Sequence, residues 1–266
     1  MDLSPLDQPE ILEIIFPVVY SPFYPPNYLR STSPDVPNYS IEVEEGIKIN
    51  CGFWVSSKEC PSILYFHGNG ETVADYNWIA PVYHQIGINL FVADYRGYGS
   101  SNGKPTISNM LTDAHTIFNG FKEIIEKEGF TESLFLMGRS LGSIPALELA
   151  FHYQDETRGL IIESGTANNF RGLWTYLGIT DKEAIFSEES RFLNKVKIRQ
   201  VHKPTLVIHG KSDQIIPVKE GEELYRSSGA PDKRILVIPG AGHNDITIVN
   251  QSLYFDTIEQ FVKAHS

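Results

Sequence analysis

The chain has 266 residues, 41% of them hydrophobic and 21% charged, a composition typical of a globular protein that buries a core without disulfides or metals. Its net charge of −11, from 33 acidic against 22 basic side chains, repels phosphate backbones and anionic lipid surfaces, so no nucleic-acid partner is expected. The two cysteines, Cys51 and Cys60, are too few for a disulfide scaffold and read as separate thiols in a reducing compartment.

Residues 1–38 form a proline-rich N-terminal arm. Eight of the chain's 16 prolines fall there, which rules out long helices. Ile11, Ile14, Ile15, Phe16, Tyr20, Phe23, Tyr24 and Tyr28 are too many apolar side chains for a disordered tail. The expectation is an extended arm lying on the domain surface or on a partner, with a homo-oligomer formed through the arm as one outcome. Acidic residues stand where a signal peptide carries Lys or Arg, and Glu10 and Glu13 interrupt the apolar run. The segment therefore reads as neither signal nor membrane span, and the expected location is cytoplasmic.

Residues 39–266 read as a single domain. Alternation at Ile41, Val43, Ile47 and Ile49, broken by Glu45-Gly46, predicts a β-hairpin over 39–55. Short apolar runs follow at 63–66, 89–93, 134–137, 160–162, 205–208 and 235–238, separated by stretches of helical length. Runs of this kind are strands covered on both faces, and alternation with helices implies a parallel sheet. Met110, Leu111, Ala114, Ile117, Phe118, Phe121, Ile124 and Ile125 recur at helical spacing over 108–128, with Gly129 as the stop. Stretches 217–228 and 251–264 read as helices in the same way. The interval from 163 to 204 is longer than one crossover helix needs. Within it, 165–200 reads either as a small helical lid over the site or as a helix pair packed on the domain.

The strongest local signal is Gly138-Arg139-Ser140-Leu141-Gly142, placed between the run 134–137 and the helical stretch SIPALELAFHY. A serine on a tight strand-to-helix turn is lifted above the sheet, and the N–H of the next residue, Leu141, is aimed at a reacting oxygen. A serine hydroxyl needs a base. Of the eight histidines, His243 sits on the glycine-rich loop Pro239-Gly240-Ala241-Gly242 directly after a strand. His67 and His209 also end strands, but each precedes a glycine and reads as a turn support. The base needs a carboxylate, and Asp213 follows the strand 205–208. The order Ser140, Asp213, His243 is that of the strand–serine–helix hydrolases. Asp94 precedes the serine, and Glu163 stands as the alternative acid after 160–162. The loop His67-Gly68-Asn69-Gly70 supplies a second oxyanion amide, assigned to Asn69 with Gly70 as its neighbouring alternative.

HGNGE (67–71), DYRGYGSSNGKP (94–105), GRSLGS (138–143), IHGKSDQIIP (208–217) and PGAGH (239–243) together resemble the α/β-hydrolase superfamily. They are most similar to its compact group akin to monoacylglycerol lipases and protein depalmitoylases. The resemblance runs from about residue 40 to the C-terminus and excludes the arm. It implies an α/β-hydrolase fold, a mostly parallel central sheet with an N-terminal antiparallel hairpin and a small lid. It also implies Ser140 as nucleophile, Asp213 as acid, His243 as base, and Asn69 and Leu141 as the oxyanion amides. Asp94–Gly99 reads as a structural turn. The expected activity is hydrolysis of a small-molecule ester or thioester through an acyl-enzyme. Hydrolysis of amide or carbon–carbon bonds by the same residues, and a non-catalytic interaction protein on this fold, are the alternatives. No metal-ligand cluster and no dinucleotide fingerprint is present in the sequence, so no cofactor is implied.

Overall fold

The computed structural model describes residues 2–21, 38–131, 133–171, 185 and 187–266. They group into two compact units, Leu3–Leu134 and Phe135–Ser266.

In the first unit the predicted hairpin is present as β1 (Asn38–Glu44) and β2 (Ile47–Trp54), paired antiparallel, with Ile41 of β1 turned inward between exposed Ser40 and Glu42. β3 (Ser62–Phe66) and β4 (Asn89–Ala93) are buried at every position and pair in parallel, and β2 pairs β4 antiparallel, so the order is β1-β2-β4-β3.

Where extended chain is expected in the arm, the structure forms two short helices, α1 (Pro9–Ile15) and α2 (Pro17–Tyr20). Each proline stands at the start of its helix, where a missing N–H costs nothing and the fixed φ is already helical. Leu6, Ile11, Leu12, Ile15 and Phe16 are buried. The ring of Phe16 meets Tyr98 edge-on at 6.5 Å, and the Tyr20 hydroxyl donates to the carbonyl of Pro105 at 2.8 Å. Phe16 and Tyr20 thus engage the chain's own first unit. The rest of the arm, 22–37, lies outside the described residues.

A further short helix is α3 (Ala80–Gln85), and α4 (Ile107–Glu128) buries Met110, Ala114, Ile117, Phe118, Phe121 and Ile125 along one face. Asp7 of the arm accepts from the N–H groups of Ile107 and Ser108, while the Thr106 hydroxyl accepts from Asn109, so the first turn of α4 is capped from two sides. Gly129 closes the helix at φ +75°. The Asp94–Gly99 turn is structural, as expected. Buried Asp94 accepts from the Val73 N–H and from Asn50 Nδ2 and faces His67 Nε2 at 3.3 Å. Burial opposes a charge on His67, but the Asp94 carboxylate and the Gly68 carbonyl outweigh it and raise its pKa above the usual imidazole value. Cys51 and Cys60 are free thiols.

The second unit carries β5 (Leu134–Arg139), α5 (Ser143–His152), β6 (Gly159–Glu163), α6 (Asn194–Ile198), β7 (Thr205–Gly210), α7 (Val218–Ser227), β8 (Lys233–Ile238), α8 (Ile246–Val249) and α9 (Gln251–His265). Its strands pair in parallel in the order β5-β6-β7-β8. All four therefore end on the same side, and the loops after β5, β7 and β8 emerge together. β5, β6 and β7 are buried throughout, whereas β8, expected to be covered on both faces, is only partly so because it is the edge strand. Of the predicted lid, 165–200, residues 172–184 and 186 lie outside those described, and the described remainder includes the short helix α6. No helix among the described residues is long and apolar enough to cross a membrane.

If the arm helices are part of the first unit's core, Phe16→Ala removes a fully buried ring and costs about 3–5 kcal/mol. Urea unfolding measures this, and a loss below about 1 kcal/mol would show that the segment is only laid on the surface.

Candidate active site

Ser140 follows β5 directly and opens a 3₁₀ turn, Ser140–Gly142, that runs into α5. The turn closes tightly because residue 138 is glycine. A Cβ there would stand 2.2 Å from the Gly142 carbonyl oxygen and 2.7 Å from Ala146 Cβ. Ser140 itself adopts φ +52°, a left-handed backbone that costs a side-chain-bearing residue roughly 1–2 kcal/mol. The Ser143 hydroxyl, fully buried, donates to the Ser140 carbonyl at 2.6 Å and ties the turn shut. Leu141 is the next residue of this turn, and its N–H belongs to the set that a helix start leaves without an intrahelical partner.

The parallel order of the strands brings the other two predicted groups to this serine. His243 Nε2 lies 2.9 Å from Ser140 Oγ, and His243 Nδ1 lies 2.7 Å from Asp213 Oδ2. All three residues are buried. The loops of Asp213 and His243 approach closely at Gly210, where a Cβ would stand 2.5 Å from the Gly242 carbonyl oxygen. A larger residue at 210 would push the His243 loop away from β7.

The electrostatics follow from the partners of Asp213. Its Oδ1 accepts from the N–H groups of Ile215 and Ile216 at 2.9 and 2.8 Å, and His209 Nε2 faces Oδ2 at 3.4 Å. Burial pushes the carboxyl pKa up. The hydrogen bonds from His209, His243 and the Ile216 N–H outweigh it and hold the group far below the usual carboxylate range. An ionised Asp213 only accepts, so His243 Nδ1 carries the proton and Nε2 is left as the acceptor for the Ser140 hydroxyl. Such a row can take a proton from the serine as its oxygen attacks a carbonyl carbon.

Glu163, the alternative acid, is engaged elsewhere. Its Oε2 accepts from the Tyr254 hydroxyl at 2.5 Å, and its Oε1 accepts from Arg139 Nε at 3.1 Å. Asn69 lies in the first unit, on the loop after β3. Its side chain donates to the carbonyl of Ile15 at 2.6 Å and accepts from the Tyr98 hydroxyl at 2.6 Å. Three contributors escape a reading of the sequence: Ser143, His209 and the Ile215–Ile216 N–H pair. His209 reads as a turn support, which it is, since its Nε2 lies 2.8 Å from the Ile216 carbonyl across the Asp213 loop. Its contact with Asp213 was signalled only by the four-residue spacing of the two.

A serine on a strand-to-helix turn, joined through an imidazole to a buried carboxylate at the ends of parallel strands, defines a serine hydrolase of α/β-hydrolase type. Residues 57–172 and 192–247 match the family described as serine aminopeptidase, S33, and the chain belongs to that family. The α/β-hydrolase domain-containing protein 17B of Homo sapiens is 29% identical over 227 residues, which cover 84% of this chain and 74% of that protein. The 17C protein of Xenopus tropicalis is 30% identical over 207 residues, covering 76% of this chain and 61% of that one. Among solved structures, an esterase of Pyrococcus furiosus superposes with a TM-score of 0.69 at 18% identity, covering 88% of this chain and 96% of that chain. A monoacylglycerol lipase of Paleococcus ferrophilus superposes with a TM-score of 0.60 at 18% identity, covering 82% and 99%. The predicted α/β-hydrolase fold is thus the fold of the chain.

The strain at Ser140 has a measurable signature. Ser140→Ala keeps a Cβ in the left-handed region, whereas Ser140→Gly removes it. The glycine variant should be more stable than the alanine variant by about 1 kcal/mol in denaturant unfolding. Equal stabilities would mean that the turn holds Ser140 without strain.

Proposed function

We propose that the protein is an acyl hydrolase that cleaves an ester or thioester through a Ser140–His243–Asp213 triad and an acyl-enzyme. The observation that carries this reading is the unbroken row of contacts, 2.9 Å from serine to imidazole and 2.7 Å from imidazole to carboxylate.

Ser140 Oγ attacks the carbonyl carbon while its proton passes to His243 Nε2. Asp213 holds the imidazole in the required tautomer and stabilises the imidazolium. The carbonyl π pair moves to oxygen, and the N–H of Leu141 donates to the oxyanion so formed, helped by the start of α5. Asn69 is proposed as the second amide on its place in the HGNGE loop alone. Collapse of the tetrahedral species expels the alcohol or thiol, which takes the proton from His243. Water then repeats the sequence in reverse and frees the acid and Ser140. A second reading, amide hydrolysis by the same residues, is favoured by the aminopeptidase description of the matched family. Aminoacyl p-nitroanilides run beside p-nitrophenyl esters separate the two.

The decisive experiment is mass spectrometry after treatment with a fluorophosphonate. One adduct on Ser140 is expected, and Ser140→Ala should lose both the adduct and turnover by on the order of 10⁴-fold or more. Labelling of another residue, or turnover surviving in Ser140→Ala, would overturn the reading. p-Nitrophenyl esters of increasing chain length then size the acyl pocket.

The pH dependence follows from the depressed Asp213 carboxyl. A protonated His243 cannot accept the proton from Ser140, whereas Asp213 is held ionised well below the usual carboxylate range and adds no second proton. The acid limb of log kcat/KM should therefore have a slope of about one, the signature of one essential proton. A second break that steepens the limb towards two as pH falls below about 4 would mean that Asp213 titrates with an ordinary carboxylate pKa.

A further inference from the structure

Arg139 occupies the second place of Gly138-Arg139-Ser140-Leu141-Gly142, where the turn itself has no use for a charged side chain. The residue is nevertheless only 9% exposed. A buried guanidinium is costly unless its N–H groups are paired, so its partners show what it is for. Nε donates to Glu163 Oε1 at 3.1 Å at the end of β6. Nη2 donates twice, to the carbonyl oxygen of His243 at 2.9 Å and to Asn244 Oδ1 at 3.0 Å. Glu163 is held from its other side by the Tyr254 hydroxyl of α9.

One planar group thus joins the residue before Ser140 to the backbone of the residue whose imidazole faces Ser140. We propose that Arg139 is a positioning residue for the acyl-transfer reaction, its guanidinium clamping the His243 backbone in register with Ser140; this rests on the triad reading above. The His243 loop needs such a hold. It is glycine-rich, with Gly240 at φ +78°, and the imidazole is anchored by Asp213 at Nδ1, while its Nε2 faces Ser140 and must exchange a proton there. A ring whose one lasting anchor is the Asp213 carboxylate can pivot about it once the Ser140 proton moves, whereas a fixed carbonyl at the same residue limits that pivot. The two holds, Asp213 on the ring and Arg139 on the backbone, together set the position of the imidazole relative to Ser140 Oγ. The fork explains why arginine serves here. Glu163 orients Nε, which leaves Nη2 with two protons for two acceptors, a geometry a lysine ammonium does not reproduce.

The test uses the full chain with a p-nitrophenyl ester that wild type turns over, and thermal unfolding confirms that each variant is folded. Arg139→Met is expected to lower kcat about 10²-fold, the usual consequence of a misplacement of about 1 Å, with KM within about twofold of wild type. The rate of fluorophosphonate labelling of Ser140 should fall in parallel. Arg139→Lys is expected to recover only part of the loss, and Asn244→Ala, at an exposed position, to lose roughly 3- to 10-fold in kcat as one of the two acceptors goes. In a His243→Ala background the Arg139→Met exchange should change the residual turnover by less than about twofold, because the clamp acts through His243. Unchanged kcat in folded Arg139→Met, or an equal loss with and without His243, would overturn the proposal. If Arg139→Met does not fold, Arg139→Lys and Asn244→Ala decide, and wild-type kcat in both overturns it. Failure of the underlying reading looks different, since wild type would then not label at Ser140, or His243→Ala would turn over as wild type does.

Discussion

The close approach of the end of β5 to the start of α5 is the constraint from which the site follows. With only hydrogen at residue 138, the Gly142 carbonyl and Ala146 pack directly against the strand backbone, at distances no Cβ tolerates. The chain must then reverse within three residues, and Ser140 takes up the positive φ that this requires. A strained residue persists only when its surroundings leave it no alternative. Here β5 is buried along its length, α5 buries most of its side chains, and the Ser143 hydroxyl closes the turn on the Ser140 carbonyl. The Ser140 hydroxyl is therefore placed by the rigid junction of a strand and a helix.

The second requirement is a charge kept ionised in a buried place. Asp213 meets it with two backbone N–H donors on one oxygen and two imidazoles facing the other. The backbone donors are the loop's own, so forming the loop and stabilising the charge are a single event. The neighbouring strand β8 is an edge strand, and the loop after it reaches Asp213 only because Gly210 leaves room. The same loop receives Arg139 from the strand before Ser140. Serine, carboxylate and imidazole are thus interlocked through backbone contacts as well as through their side chains.

In the first unit an analogous buried pair, His67 and Asp94, joins the loops after β3 and β4. Asp94 also holds Asn50 and the Val73 N–H, so the turn that follows it is anchored at its root. The arm contributes here. Its Ile15 carbonyl accepts from Asn69, and Phe16 packs on Tyr98, whose hydroxyl donates to the same Asn69. A segment that reads as an accessory in the sequence is part of the support of the HGNGE loop.

By itself the sequence determined most of the elements and singled out the candidate site residues. Apolar runs bounded by turn residues marked the strands, the helical spacing of Met110 through Ile125 marked α4, and Ser140, Asp213 and His243 stood out as candidates because each lies on the turn or loop after a strand. Such signals are local, carried by side-chain period and by residues that tolerate tight turns. The tertiary structure alone decided what depends on neighbours distant in the chain. Strand order made β8 an edge and left it half-buried, which its apolar run gave no sign of. The arm became helical because its apolar side chains found a surface to cover, whereas proline count alone suggested extended chain. Glu163 was removed from the list of acids by Arg139 and Tyr254, residues 24 and 91 positions away. His209 and Ser143 acquired their roles in the same way. A hydrogen bond between distant residues leaves no periodic trace in the sequence, since it depends on the path of the backbone between them.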